Sequence, residues 1–159
     1  RRQRQMCIRD SDNRISLEKK LVAKAKLNIV DVIQKISNGL QPVPQIENNV
    51  SYCRKITKED GRINFEETAK EIFNKYRAVS GWPGTYFQYK DTTIKIHGMR
   101  IIDLDNNDTP GTIFDVTKDG IHIKVYDSVI VITHIQLPGK KIINSFDIYN
   151  SYKDFFVEI

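Results

Sequence analysis

Between Gly81 and Gly84 the apolar residues of this chain change their period, and that change limits what the chain can fold into. Before it, Phe65, Ala69, Ile72, Phe73 and Tyr76 recur at the three- and four-residue spacing of one helix face. After it, apolar residues alternate in short runs: Thr85–Tyr89, Thr92–Arg100, Thr112–Val116, Ile121–Tyr126 and Val129–Leu137. Lys90-Asp91, Asp103–Gly111, Lys118–Gly120 and Asp127-Ser128 separate them with turn chemistry. Five or six short antiparallel strands flanked by helices predict a mainly β, α+β domain built as a small barrel. The earlier helix is expected over about Phe65 to Val79, with Asn64 and Glu67 as its capping box. A closing helix, roughly Ser145 to Phe156, is expected to pack Phe146, Ile148, Tyr149, Tyr152 and Phe155 onto the barrel.

The first third of the chain has a different character. From Ser16, read as an N-cap, Leu17, Leu21, Ala25, Ile29, Ile33 and Ile36 mark a helix that Asn38-Gly39 ends. Val22, Val30 and Val32 widen its apolar stripe, so this helix expects cover on more than one side. Pro42 and Pro44 then disfavour helix, which makes residues 40–56 a linker, with a boundary near residue 45, and residues 57–159 the β-rich domain.

Charge is distributed unevenly. The 159 residues carry a net +5, but residues 1–10 (RRQRQMCIRD) hold +3, residues 11–45 another +3, and residues 46–159 are at −1. The opening decapeptide resembles the translation of a sequencing-library adapter, so residues 1–11 are expected to be an adapter-derived scar; the other reading is a natural basic arm. Without the decapeptide the net charge falls to +2 and Cys53 is the one cysteine left. The longest apolar run, at Val129–Thr133, is far too short to cross a bilayer, and two cysteines make no disulfide framework. A soluble, cytoplasmic protein is the expectation.

Catalytic and metal motifs are not legible. His97, His122 and His134 fall on separate predicted strands without zinc-site spacing and are read as solvent-facing. The acidic stretch from Asp103 to Asp108 has Asp108 where a calcium loop needs glycine and Phe114 where it needs glutamate, so it reads as a polar turn. Neither a nucleophile elbow nor a phosphate-binding glycine loop is present. What remains are two basic clusters: Arg54, Lys55, Lys58 and Arg62 at the linker exit, and Lys140-Lys141 after the last predicted strand. With Tyr52, Tyr86 and Tyr89 interleaved, they suit phosphate contacts plus base stacking. Solvated surface lysines are the alternative reading, and with −1 over residues 46–159 any attraction to nucleic acid must be local.

Ordered blocks of residues carry a resemblance. The run from Tyr52 through Lys55-Ile56-Thr57-Lys58-Glu59-Asp60-Gly61-Arg62-Ile63-Asn64 to Phe65 is one; Arg77-Ala78, Trp82-Pro83-Gly84, Pro110-Gly111-Thr112-Ile113 and Gln136-Leu137-Pro138-Gly139-Lys140-Lys141 are the others. In this order they closely resemble methionyl-tRNA formyltransferases, continuously from the Ser16 helix onward. The resemblance implies that residues 12–39 are the last helix of a truncated catalytic domain and residues 57–159 an OB-like C-terminal domain. It implies a parent enzyme that moves a formyl group from 10-formyltetrahydrofolate to the amino group of initiator methionyl-tRNA. The family's catalytic asparagine, histidine and aspartate lie upstream of anything here, so this chain is expected to be inactive, to bind no cofactor and to act as a monomeric tRNA-binding platform. Lys55, Lys58, Arg62, Lys140 and Lys141 are its expected tRNA contacts. The alternatives are the C-terminal domain of a UDP-amino-sugar formyltransferase and a stand-alone RNA-binding barrel.

Overall fold

A computed structural model describes residues 9–44, 50–104 and 107–157. The suspected adapter residues 1–8, positions 45–49 of the linker and Asp105-Asn106 of the polar turn lie outside them. The chain divides into two compact units, Arg1–Ile56 and Thr57–Ile159.

Among the described residues of the first unit the one helix is α1 (Arg14–Ser37). Its N-cap is Asn13 rather than Ser16. The Asn13 side chain accepts from the Ser16 N–H at 2.9 Å, and Ser16, three residues on, returns a hydroxyl to the Asn13 N–H at 3.0 Å. Asn38 and Gly39, the latter at φ +86°, close the helix. No residue of α1 is buried, and Leu21, Val22, Ile29, Val30, Val32, Ile33 and Ile36 are all at least 41% exposed.

The second unit opens with a short 3-10 turn at Lys58–Gly61. Helix α2 (Ala69–Ala78) follows. It starts four residues later than the periodicity predicts, because its capping box is Thr68 with Glu71, not Asn64 with Glu67. The Asp127 carboxylate, from a turn far along the chain, accepts from the Ala69 N–H at 2.8 Å and holds that start in place. Phe65 stays outside the helix and packs edge-on against Phe87.

Six strands follow: β1 (Thr85–Tyr89), β2 (Thr92–Ile102), β3 (Ile113–Thr117), β4 (Gly120–Lys124), β5 (Val129–Gln136) and β6 (Ile142–Asn144), then helix α3 (Ser145–Phe156). The ladders are antiparallel in the order β1-β2-β5-β4-β3, with β6 on β5. This is an α+β fold with an antiparallel sheet. Strand β6, which the sequence hid inside a turn, pairs with the end of β5 that β4 leaves uncovered. Val129 through Ile132 are all fully buried, as expected for a strand central to its sheet.

One core gathers Ile72 of α2, Ile94 and Ile96 of β2, Ile130, Ile132 and Ile135 of β5, and Ile148 and Phe156 of α3. Burial of this apolar surface is the main stabilising term. Phe146, expected on the packed face of α3, is 54% exposed; Phe156 takes the buried place. Tyr89 also joins the packing. It lies against Phe155 and Phe156 and donates its hydroxyl to the Phe156 carbonyl at 2.8 Å. That removes it from the stacking residues the sequence suggested. Among the described residues no helix is long and apolar enough to cross a membrane.

Candidate nucleic-acid interface

Register decides which residues share a surface. In β2, Ile94 and Ile96 point into the core, so Lys95 between them lies on the opposite, outer face; His97, at a shift in the β2–β5 register, is exposed there too. Tyr86 of β1 stands opposite Lys95, and Lys95 stands opposite Gln136 of β5, which in turn faces Ile142 of β6. Arg62 extends the row, since it bridges to Tyr86 at the outer edge of β1. Five backbone positions thus cross the sheet side by side. At about 4.8 Å per strand, Arg62 and the start of β6 are separated by about 19 Å.

Polar contacts tie this row together. The Gln136 amide nitrogen donates to the Lys140 carbonyl at 3.0 Å, which leaves its amide oxygen to accept from His97 Nε2 at 3.2 Å. The turn that carries Lys140 and Lys141 is therefore anchored to the centre of the row, and Gly139 at φ +69° lets it close. At the other end Tyr86 donates its hydroxyl to Glu59 at 3.3 Å. Desolvation, and then the neighbouring Glu59 carboxylate, raise the Tyr86 phenol above its ordinary value, so at neutral pH it stays an uncharged donor.

The structure brings Lys58 and Arg62 to one end of this outer face and Lys140 and Lys141 to the other. All four are exposed. Lys55 is exposed too and belongs to the Arg1–Ile56 unit, as does Tyr52, which is 94% exposed. Arg54 donates to the Lys55 carbonyl.

Sequence reasoning missed Lys95 and His97, which sit between the two predicted clusters. A signal was present. Strands β1, β2, β5 and β6 contain Lys95, Arg100 and two histidines but not a single Asp or Glu, whereas β3 contains Asp115. A domain of net charge near zero thus carries strands without carboxylates on this face; Glu59 reaches Tyr86 at its edge and Asp119 pairs with Arg100 at 3.6 Å, which leaves Lys95 as the cation in the middle of the row. Such a face can pair with phosphates without any bulk excess of positive charge. His122 is half-buried and His134 exposed, and among the described residues no three His, Cys, Asp or Glu side chains gather as a metal site.

Comparison with known proteins places this geometry. Residues 55–153 match the family described as formyl transferase, C-terminal domain. The methionyl-tRNA formyltransferase of Caldicellulosiruptor saccharolyticus is 36% identical over 148 residues, covering 92% of this chain and 47% of that protein. The methionyl-tRNA formyltransferase of a Sulfurihydrogenibium species is 34% identical over 152 residues, covering 94% of this chain and 49% of its own. The chain thus spans about half the length of the curated relatives it matches. Among solved structures, a variant of HypX from Aquifex aeolicus aligns with a TM-score of 0.59 at 18% identity, over 86% of this chain and 24% of that one. HypX solved in complex with tetrahydrofolic acid aligns at 0.55, also at 18% identity, over 82% of this chain and 23% of that one. At that identity the likeness concerns the fold alone.

Proposed function

The chain belongs to the formyl transferase C-terminal domain family, and from that membership we propose that it is the tRNA-binding platform of a methionyl-tRNA formyltransferase. The whole enzyme would transfer a formyl group from 10-formyltetrahydrofolate to the amino group of initiator methionyl-tRNA. In this reading α1 is the last helix of the catalytic domain and residues 57–159 are an OB-like domain. The formyl donor and the catalytic groups belong to the rest of the enzyme, and the chain is a cytoplasmic monomer.

One observation carries the platform role: the outer face of β1, β2, β5 and β6 has cations and no carboxylate on its strands, with Lys58 and Arg62 at one end and Lys140 and Lys141 at the other. Phosphate contacts supply most of the affinity in such interfaces and make it salt-dependent. The test is fluorescence anisotropy with initiator methionyl-tRNA across a range of salt. Replacing Lys55, Lys58, Arg62, Lys140 and Lys141 singly by glutamine should weaken binding a few-fold each and lower the salt slope by about 0.9 per contact. Unchanged affinity in the combined variant would overturn the platform role. Formylation of methionyl-tRNA by the purified chain alone would overturn the assignment of catalysis to the rest of the enzyme.

A further inference from the structure

Trp82 is the only tryptophan of the chain, and it stands 51% exposed in the loop between α2 and β1. Burial of a large aromatic side chain is strongly favourable, so a half-exposed indole on a well-packed loop leaves that gain unused. The loop is held in place on both sides of Trp82. The Gly84 N–H donates to the Val79 carbonyl at 3.0 Å, and a Cβ at Gly61 would come within 3.4 Å of Pro83 and would collide with the Gly84 carbonyl. Trp82 is therefore presented from a loop packed against the 3-10 turn that carries Lys58 and precedes Arg62.

A cleft of about 180 Å³ adjoins it, lined by both chain neighbours of Trp82, Gly81 and Pro83, and by Tyr76, Ser80, Lys95 and His97. Thr85 also lines it. That residue is 2% exposed, its side chain on the same inward side of β1 as Phe87, and so closes the floor of the cleft. Thus one small region holds an exposed aromatic surface and a cleft lined by Lys95 and His97, with the turn that carries Lys58 packed against the Trp82 loop.

We propose that this region is a subsite for one unpaired nucleotide, its base stacked on Trp82 and its sugar-phosphate in the adjoining cleft. Aromatic stacking needs a base face free of its neighbours, which single-stranded segments offer and an intact duplex does not. Lys95 supplies the charge for the phosphate. The inference deepens the tRNA-platform reading and rests on it, but its readout is separate.

The test uses the full chain, a single-stranded RNA hexamer and a blunt duplex of the same sequence. Binding is followed by anisotropy of a label on the RNA, and stacking by the emission of Trp82. The hexamer should quench Trp82 as it binds, while the duplex should leave the emission unchanged. Trp82→Leu should weaken hexamer binding about tenfold, and Trp82→Tyr should restore it to within about threefold, with unchanged melting temperatures showing that both variants fold. Hexamer bound without quenching, or Trp82→Leu binding like the parent chain, would overturn the subsite and leave the platform reading standing. If neither the hexamer nor tRNA binds, both readings fall.

Discussion

Gly61 lies so close to the carbonyl oxygen of Gly84 that no side chain fits between them. This approach joins the turn carrying Lys58 to the Trp82 loop, and β1 starts one residue after Gly84. Gly61→Ala forces backbone against backbone, and overpacking of this kind costs roughly 2 kcal/mol. We expect the melting temperature to fall by about 10 °C, measured by thermal unfolding. Gly139→Ala meets open space and strains only its own φ of +69°, so it should cost less.

Lys95 occupies the middle of the Arg62–Tyr86–Lys95–Gln136 row. Lys95→Gln should weaken tRNA binding at least as much as Lys140→Gln and lower the salt slope by about one contact. Lys118→Gln, in the turn between β3 and β4, should change neither. Equal effects at Lys95 and Lys118 in an anisotropy titration would mean that the outer face is not where the RNA lies.

Tyr89 was a stacking candidate in the sequence and a packing residue in the fold. Its hydroxyl ties β1 to the end of α3 through the Phe156 carbonyl. Tyr89→Phe should cost about 1 kcal/mol of stability and leave RNA affinity unaltered. A loss of RNA binding at unchanged stability would return Tyr89 to the interface.

Acid should weaken both helix starts. The Lys20 ammonium, at 2.7 Å from Asp12 Oδ2, holds the Asp12 carboxyl down to about 2, with help from the Arg9 N–H and the Ser16 hydroxyl. Hydrogen bonds from the Thr68 hydroxyl and N–H lower the Glu71 carboxyl in the same sense at the start of α2. A carboxyl whose folded value lies below its unfolded one stabilises at neutral pH and loses that contribution as pH falls. For Asp12 the loss runs from about pH 4 down to about pH 2. Helical circular dichroism should fall over this window, and Asp12→Asn should remove the part that belongs to α1. At neutral pH Thr68→Ala should cost about 1 kcal/mol and Asn64→Ala less, because Thr68 is the cap.

The sequence made the elements legible and their starts less so. Helix α3 runs over Ser145–Phe156 and β1 over Thr85–Tyr89, as their periodicity and flanking turns predict, because each signal is local. The start of α2 was misplaced because both Asn64 with Glu67 and Thr68 with Glu71 satisfy the capping pattern. The choice between them is supported by Asp127, 58 residues away. Strand β6 was hidden because three residues have no period of their own and become a strand only against β5.

The candidate site divides in the same way. Lys58, Arg62, Lys140 and Lys141 stand out in the sequence because they lie in turns among motifs that resemble a known family. Lys95 does not, since a lysine alternating with isoleucines on a strand looks like any solvated residue. By itself the sequence determined the α+β class and strands β1 to β5, which depend on neighbours within a few residues, and the family, which depends on the order of short motifs. Only the tertiary structure decided that Arg62, Tyr86, Lys95 and Gln136 form one row. That row depends on hydrogen-bonded register between strands distant in the chain, and a one-residue slip in it would turn Lys95 toward the core.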